Sequence, residues 1–370
     1  MTKQPGKGRI FTANDGNIED IAGRSIAVIG YGNQGRAQAL NLRDSGLNVV
    51  VGNRRDEYRR RAESDGFTVM DIPTAVAEAD VCILLLPDEE LPSAYRSSIR
   101  PALTAGDMLV FASGYGVAFG EIEPPPGVDV ALLAPRMIGL GVRENYLTGE
   151  GFYCLVGVHQ DASGTAWKRL LGLCAGISGL YKPAVEVSFH QEAVLDLFNE
   201  QAFGPAFGRV LLTAINVLLD AGLPPEAVLV EMYMSEEMSY IYRQMSRVGL
   251  IRQTDFHSQT SQYGAMSRAI RFLNPKLRRT MSGILREIDS GSFAREWQRP
   301  LSRLKLRALR FFAARQKLGT IEQRVRARLG CPEGAALEVG EESMQENIRR
   351  ILQDPRLRQE LEGFEQSFEY

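Results

Sequence analysis

The chain has 370 residues, of which 44% are hydrophobic and 24% are charged, an ordinary globular composition that predicts two or three domains. Its formal net charge of -2 gives no overall attraction to nucleic acid or to a membrane surface, so we expect neither as a partner. We expect no signal peptide and no membrane span, because no apolar run reaches about eighteen residues. The four cysteines lack metal-ligand spacing, which favours reduced thiols in a cytoplasmic protein.

A glycine-rich turn lies between the first predicted strand, Ser25–Ile29, and a predicted helix at 36–44, with a second strand at 47–51. In this context the three glycines have distinct uses: a tight turn, close approach of the backbone to a pyrophosphate, and close packing of helix on strand. The helix N-terminus would supply N–H groups for the phosphates. The motif therefore predicts dinucleotide binding by Gly30, Tyr31, Gly32, Asn33, Gln34 and Gly35.

The end of the second strand indicates which dinucleotide binds. NAD sites usually place a carboxylate here for the ribose 2′-hydroxyl, whereas this chain has Arg54 and Arg55. A guanidinium can bind a 2′-phosphate in bidentate fashion, so the two arginines favour NADPH. Asp56 and Glu57 lie near the same loop and leave NADH open as the alternative.

Further apolar strands are predicted at 81–86, 108–112, 130–134 and 152–158, followed by a helix at 162–175. This alternation is typical of an α/β Rossmann-like domain, in which ligands bind beyond the carboxyl ends of the strands. The loops after these strands should therefore line the nicotinamide end of the site. The residues predicted to contact the coenzyme there are Leu86, Pro87, Ser113 and Gly114.

The second half of the chain is predicted to be helical. We predict helices at 193–221, 225–249, 262–274, 276–290 and 293–317. The sequence thus indicates a Rossmann-like dinucleotide-binding domain at 1–184 followed by an all-α domain at 185–317. The remaining segment, 318–370, is rich in Glu, Gln and Arg and is predicted to form surface helices or to be partly disordered.

Two carboxylates, Asp196 and Glu200, are spaced so that they share one face of the first long helix. Carboxylates in an apolar setting seldom stay charged unless they are paired or metal-bound. The pair is therefore a candidate ligand set for a hard cation such as Mg²⁺. The alternative is an acidic pair bonded to arginines on a solvated face.

Five segments, in order along the chain, resemble the ketol-acid reductoisomerases, the NADPH- and Mg²⁺-dependent enzymes of branched-chain amino acid synthesis. They are IAVIGYGNQGRAQALNLRDS at 26–45, LPDE at 86–89, DLFNEQ at 196–201, SQTSQYG at 258–264 and FAREW at 293–297. The resemblance covers roughly residues 9–315. It implies a Rossmann-like domain followed by a knotted α-helical domain, in a homodimer or a higher homo-oligomer.

The resemblance also implies a set of metal ligands. Asp196 and Glu200 match the first metal-binding pair, and Glu231 matches the first member of the second pair. One turn later, where the family has another glutamate, this chain has Ser235. Glu236 is one residue away, about 100° around a helix, and could substitute only if the helix shifts or bulges.

Other matching positions carry a change of chemistry. Ser258 keeps the hydroxyl that resembles the family's contact to the substrate carboxylate. Ser113 and Leu140, however, stand where the family has histidines, and Arg136 stands where it has a lysine. Arginine can bind an anion but does not readily exchange protons. Ser113 and Tyr263 are weaker candidates for a proton donor.

In this comparison with the family pattern, the chain keeps the residues for hydride transfer better than the residues for alkyl migration. We therefore predict an NADPH-dependent reductase that reduces a C=O or C=N bond of a small carboxylated substrate without obligatory alkyl migration. Arg136 and Ser258 would hold the anionic group, and Asp196, Glu200 and Glu231 would bind Mg²⁺ or supply protons. The alternatives are an authentic Mg²⁺-dependent ketol-acid reductoisomerase and a non-catalytic NADPH-binding protein.

Overall fold

The computed structural model describes residues 8–314 and 317–331, so most of the segment predicted as an extension, 332–370, lies outside the described residues. The chain divides into two compact units, Met1–Asp196 and Leu197–Tyr370. The first unit carries an α/β sheet and the second is helical among its described residues. The predicted fold class is thereby confirmed.

The strands of the first unit form a nine-stranded sheet. They are β1 (Ile10–Phe11), β2 (Ser25–Ile29), β3 (Asn48–Gly52), β4 (Val69–Met70), β5 (Val81–Leu84), β6 (Met108–Phe111), β7 (Asp129–Pro135), β8 (Cys154–Gln160) and β9 (Ala184–Glu186). Their order is β1-β9-β8-β7-β6-β5-β2-β3-β4. Strands β4, β3, β2, β5, β6 and β7 are parallel, whereas β8 is antiparallel to β7. The strands β1, β4 and β9 were not predicted, because at two or three residues they are too short to show a strand period.

The helices that accompany the sheet are α1 (Asn33–Asp44), α2 (Glu57–Ser64), α3 (Ile72–Ala77), α4 (Leu91–Ala94), α5 (Tyr115–Ala118), α6 (Gly139–Leu147), α7 (Ala166–Gly176) and α8 (Phe189–Phe198). Alternate residues of the central strands face two hydrophobic clusters. On β2, Ile26 and Val28 join the cluster that contains α1 and α7, whereas Ala27 and Ile29 join the cluster that contains α3. Burial on both faces explains why the parallel strands are almost continuously apolar.

A buried ion pair fixes the amino ends of the parallel strands. Arg169 on α7 donates from Nη1 to Asp129 Oδ2 at 3.0 Å, and the two side chains are 4% and 0% exposed. The same guanidinium donates to the carbonyl oxygens of Gly106 and Asp80 at 3.1 and 2.9 Å. These contacts bind together the residues that precede or begin β5, β6 and β7, at the edge of the sheet opposite to the carboxyl ends.

The described helices of the second unit are α9 (Gly204–Asp220), α10 (Pro225–Leu229), α11 (Glu237–Val248), α12 (Gln259–Ala269), α13 (Pro275–Asp289), α14 (Ser292–Trp297), α15 (Pro300–Ala314) and α16 (Lys317–Arg328). The prediction of one helix at 225–249 is wrong. A π-helical segment, Val230–Met234, follows α10, and Glu236 then adopts a left-handed conformation with φ 61° before α11 begins. The predicted helix at 293–317 is likewise divided, because Pro300 starts a new helix.

Part of the predicted extension belongs to the core of the second unit. Val325 on α16 is 1% exposed and lies in a hydrophobic cluster with Ile215, Val228 and Leu229. On the helix surface, the Tyr233 hydroxyl donates to Glu322 Oε1 at 2.5 Å. Helix α16 is therefore packed structure rather than a solvated tail.

Among the described residues, one helical stretch, Phe189–Asp220, is long and apolar enough to cross a membrane by length and composition alone. The expectation that no such segment exists is therefore wrong. Only 11% of the apolar window is buried. A single helix of this kind is weak evidence for a membrane span, because core helices of soluble proteins pass the same test.

Candidate coenzyme and active site

The topological switch of the sheet lies between β2 and β5, since the chain leaves β2 toward β3 on one side and returns to β5 on the other. Ligands bind in the crevice outside the carboxyl ends of strands at such a point. Gly30 follows β2 here with φ 95°, and a β-carbon on it would lie 2.8 Å from the carbonyl oxygen of Leu85. The Leu86 side chain would lie 3.0 Å from the same β-carbon, so this predicted contact lies beside the glycine-rich turn, and Pro87 follows it in the sequence.

The turn leaves room for a phosphate at one glycine and excludes a side chain at another. A β-carbon on Gly32 would meet nothing within 4 Å, and no side chain caps α1 at this residue. A β-carbon on Gly35 would lie 2.0 Å from the carbonyl oxygen of Gly30. The open space at an uncapped helix N-terminus, which begins at Asn33, fits the pyrophosphate of a dinucleotide.

Two other residues of the motif stabilise the turn. The Tyr31 side chain is 1% exposed, its hydroxyl donates to Asp65 at 2.9 Å, and its N–H donates to Asn53 Oδ1 at 3.3 Å. Gln34 donates from Nε2 to the carbonyl oxygen of Met137 at 2.8 Å, which joins the turn to the loop after β7. Because the Tyr31 side chain is committed to Asp65, we assign it a supporting position behind the turn.

The two predicted 2′-phosphate ligands lie on the loop after β3. The Arg54 guanidinium is exposed and donates from Nε to Asp56 Oδ2 at 2.9 Å and from Nη1 to Glu90 Oε2 at 3.1 Å. Arg55 is exposed. Arg54 is thus shared between two carboxylates at the point where the adenosine ribose of a dinucleotide is recognised.

A buried glutamate joins the loops after β6 and β7 to α8. Glu192 is 1% exposed, and its Oε2 accepts from the N–H of Gly114 at 2.6 Å. Its Oε1 accepts from Arg136 Nη1 at 3.1 Å, while Arg136 Nη2 donates to Asp196 Oδ1 at 2.6 Å. Three of the predicted site residues, Arg136, Gly114 and Asp196, are therefore brought together within the first unit.

Glu192 was not among the predicted site residues. The available signal was its position one helical turn before Asp196, which places the two carboxylates on the same face of α8. Burial raises the pKa of Glu192 to about 7, and the negative charges of Asp196 and Asp88 also raise it. The Gly114 N–H and the Arg136 guanidinium act in the opposite direction. Glu192 therefore exchanges its proton near neutral pH, which is the range useful for acid–base chemistry.

The predicted metal ligands are distributed over both units. Asp196 is the last residue of the first unit, and its carboxylate pairs with Arg136. Glu200 and Glu231 belong to the second unit, are exposed, and each lie in a π-helical segment, a distortion that is frequent at functional sites. Carboxylate oxygens are the donors that Mg²⁺ prefers. Within residues 8–314 and 317–331, however, no group of three or more His, Cys, Asp or Glu side chains is arranged to hold a metal.

The helix bulges where a glutamate of the second pair is replaced. The N–H of Ser235 donates to the carbonyl oxygen of Val230 at 3.0 Å, which closes a π turn that includes Glu231. Glu236 then takes the left-handed conformation. A bulged helix was the condition under which Glu236 could replace a glutamate at Ser235; the π turn lies directly before these two residues, and the substitution itself stays a prediction.

The remaining candidates lie on loops and helix ends. Ser258 caps α12, with its hydroxyl oxygen accepting from the N–H of Ser261 at 3.3 Å, and Tyr263 on the same helix is exposed. Ser113 accepts from the N–H of Tyr115 at 3.3 Å. Leu140, which occupies a position expected to be histidine, is exposed on α6.

The two halves of the chain match two parts of one family. The family model described as acetohydroxy acid isomeroreductase, NADPH-binding domain, matches residues 20–182, and the model described as ketol-acid reductoisomerase, C-terminal domain, matches residues 189–330. A protein of Saccharolobus solfataricus named "Putative ketol-acid reductoisomerase 3" is 42% identical over 290 residues, which cover 77% of this chain and 87% of that protein.

Solved structures give the same result. The NADH-preferring ketol-acid reductoisomerase from an uncultured archean superposes with a TM-score of 0.81 and 33% identity, covering 86% of this chain and 98% of that one. A semialdehyde dehydrogenase NAD-binding protein from Cupriavidus necator superposes with a TM-score of 0.55 and 17% identity, covering 72% of this chain and 98% of that one. The second likeness concerns the fold alone.

The openness of the turn at Gly32 can be tested with Gly32→Ala. The added methyl group enters the space assigned to the pyrophosphate, so dinucleotide binding should weaken by about tenfold or more while the melting temperature falls by at most about 4 °C. Fluorescence titration with coenzyme and thermal melting measure the two effects. Gly35→Ala is the matched variant in which the methyl group overlaps the Gly30 carbonyl, so that it should lower the melting temperature. Unchanged coenzyme affinity in folded Gly32→Ala protein would contradict the assignment.

The raised pKa of Glu192 predicts a pH-dependent contribution to stability. Native Glu192 keeps a proton that the unfolded chain releases, so this contribution is complete below about pH 4.5 and is lost as the pH rises to about 7. Glutamine cannot titrate, so the melting temperature of Glu192→Gln relative to the wild type should rise between pH 5 and 7 and level off above pH 8. The exposed-site control Glu144→Gln should show no comparable trend. A constant difference for Glu192→Gln across this range would refute the raised pKa.

Proposed function

Because the chain belongs to the ketol-acid reductoisomerase family, we propose that it is an NADPH-dependent reductase that reduces a C=O or C=N bond of a small carboxylated substrate without obligatory alkyl migration. Family membership makes the chain an NAD(P)-dependent oxidoreductase. The choice of NADPH is supported by Arg54 and Arg55 at the end of β3, where a 2′-phosphate would lie.

The observation that carries the proposal is the pairing of Arg136 with Asp196 at 2.6 Å. Arginine stays protonated, so Arg136 cannot replace a proton-exchanging lysine, and its guanidinium occupies an oxygen that a first metal ion would use. Alkyl migration in this family depends on two divalent cations that polarise the substrate oxygens. Hydride transfer needs only a bound nicotinamide, an oriented acceptor and one electrophilic group. These requirements are simpler than the two-cation site that alkyl migration needs.

The proposed roles follow from the charges of the site. Arg136 is one-third exposed and can bind a substrate carboxylate or stabilise negative charge on the reacting oxygen. Hydride addition to the carbon must be accompanied by a proton on the oxygen or nitrogen, and Glu192, with a pKa of about 7, is suited to hold that proton. Ser258 would contact the substrate carboxylate, with Ser113 and Tyr263 as further hydroxyl groups for proton supply.

A second candidate function is authentic ketol-acid reductoisomerase. The π segment Val230–Met234 supports it, because an inserted residue before Glu236 would let this side chain take the place of the glutamate that Ser235 replaces. Asp196, Glu200 and Glu231 would then hold Mg²⁺, which supplies the polarisation needed for alkyl migration.

Steady-state NADPH oxidation separates these candidates. We expect turnover with a 2-keto acid or a carboxylated imine, loss of about a hundredfold or more in Arg136→Ala, and no turnover of 2-acetolactate at rates typical of enzymes. Calorimetric titration with Mg²⁺, using Asp196→Asn as control, measures metal binding independently of activity.

Each outcome of that experiment distinguishes one function. Efficient Mg²⁺-dependent conversion of 2-acetolactate would replace the proposal with the authentic activity. Tight NADPH binding without reduction of any compound in the panel would indicate a non-catalytic NADPH-binding protein.

We also propose that the second unit associates with a second copy of the chain. Its helices expose large apolar side chains, including Phe272 and Leu273 at 79% each, and so many exposed groups are typical of an interaction surface. Others on the same unit are Val210, Val217, Leu250, Ile251, Met266 and Ile270.

Light scattering tests this association. The measured mass should be at least twice the chain mass of 41.0 kDa, and Phe272→Asp combined with Leu273→Asp should lower it because charge opposes burial at an interface. Leu147→Asp, at an exposed apolar position of the first unit, is the matched control. A wild-type mass of one chain at micromolar concentration would rule the association out.

A further inference from the structure

A salt bridge spans the carboxyl ends of three neighbouring strands at the expected ribose position. Arg54 comes from the loop after β3, and Glu90 comes from the loop between β5 and α4, while β2 lies between the two strands in the sheet. The Nη1–Oε2 distance is 3.1 Å, and Asp56 holds Nε of the same guanidinium at 2.9 Å. The residue best placed for a 2′-phosphate is therefore already bonded to two carboxylates.

Arg59, a nearby arginine, is not available as a substitute. Its Nη1 donates to Asp71 at 2.7 Å and its Nε donates to Glu63 at 3.2 Å, and the side chain is only 20% exposed. The expected 2′-phosphate position is then flanked by the positive side chains of Arg54 and Arg55. It is also flanked by Asp56 and Glu90, the two carboxylates that hold Arg54. A 2′-phosphate must compete with these carboxylates, whereas a 2′-hydroxyl can donate a hydrogen bond to one of them.

The two carboxylates differ in what else they do. Asp56 accepts from the N–H of Arg59 at 3.1 Å and from Asn53 Nδ2 at 2.8 Å, so it also caps α2 and fixes the loop. Glu90 reaches Arg54 from another loop and is 43% exposed. Replacing the Glu90 carboxylate therefore changes the charge at Arg54 without removing a helix cap.

We infer that Glu90 is a specificity-determining residue for the coenzyme: its carboxylate competes with the 2′-phosphate for Arg54 and so reduces the preference for NADPH over NADH. The inference rests on the proposed use of NADPH. Exposed ion pairs are weak, so Glu90 adjusts the preference by about two- to fivefold rather than reversing it.

The test uses binding of two probes that differ only in the phosphate, 2′,5′-ADP and 5′-AMP, measured by calorimetry on the full chain. Glu90→Gln should tighten 2′,5′-ADP about two- to fivefold and leave 5′-AMP nearly unchanged, and the gain should shrink at high salt. Glu57→Gln is the matched control, because it removes the same charge from the neighbouring α2 and should have a smaller effect. In an Arg54→Gln background, Glu90→Gln should have no effect on 2′,5′-ADP.

The outcomes separate this inference from the proposed coenzyme. Equal gains in Glu90→Gln and Glu57→Gln, or equal gains for the two probes, would show a general charge effect and overturn the role of Glu90. Failure of the wild-type protein to bind 2′,5′-ADP more tightly than 5′-AMP, together with no gain in Glu90→Gln, would overturn both the NADPH proposal and this inference. Preferential binding of 2′,5′-ADP that Glu90→Gln leaves unchanged would overturn the inference alone.

Discussion

The buried carboxylate of Glu192 is the contact on which the candidate active site depends. It joins the Gly114 N–H in the loop after β6 and the Arg136 guanidinium in the loop after β7 to one turn of α8. Removing a partner of a buried charge is costly, so the two loops and the helix are held as one group. Since Arg136 also holds Asp196, the position of the first predicted metal carboxylate follows from the same network.

The coenzyme crevice has an arginine bonded to two carboxylates at each end. Arg54 is bonded to Asp56 and Glu90, and Arg136 is bonded to Glu192 and Asp196. Burial makes the two arrangements different, because Glu192 is 1% exposed whereas the Arg54 side chain is 66% exposed. Solvent weakens the ion pairs of Arg54 with Asp56 and Glu90, so this arrangement would only adjust the affinity for the coenzyme. In the second arrangement Glu192 is buried while the Arg136 and Asp196 side chains are about one-third exposed, so Glu192 positions the two loops and its burial raises its pKa.

In the pattern that the resemblance implies, Arg136 stands at a lysine position, and this difference would change what the site can do with protons and metal. An ammonium group can give up its proton, whereas a guanidinium remains charged and binds carboxylates with two parallel donors. Arg136 uses those donors on protein carboxylates, one of which is a metal ligand in the implied family pattern. In the proposed reduction the proton would come from Glu192, whose pKa lies near neutrality, rather than from a basic residue of the loop.

The sequence by itself determined the parts of this protein that depend on neighbouring residues. The boundaries of β2, the glycine-rich turn and the parallel α/β alternation follow from local periodicity and from the conformations that glycine permits. Only the tertiary structure decided that Glu192 is buried against residues 56 and 78 positions away, that Arg54 bonds to a glutamate 36 positions away, and that the predicted helix at 225–249 breaks at Glu236. The physical reason is that burial and ion-pair partners are set by the meeting of distant loops at one edge of the sheet, which no local pattern records.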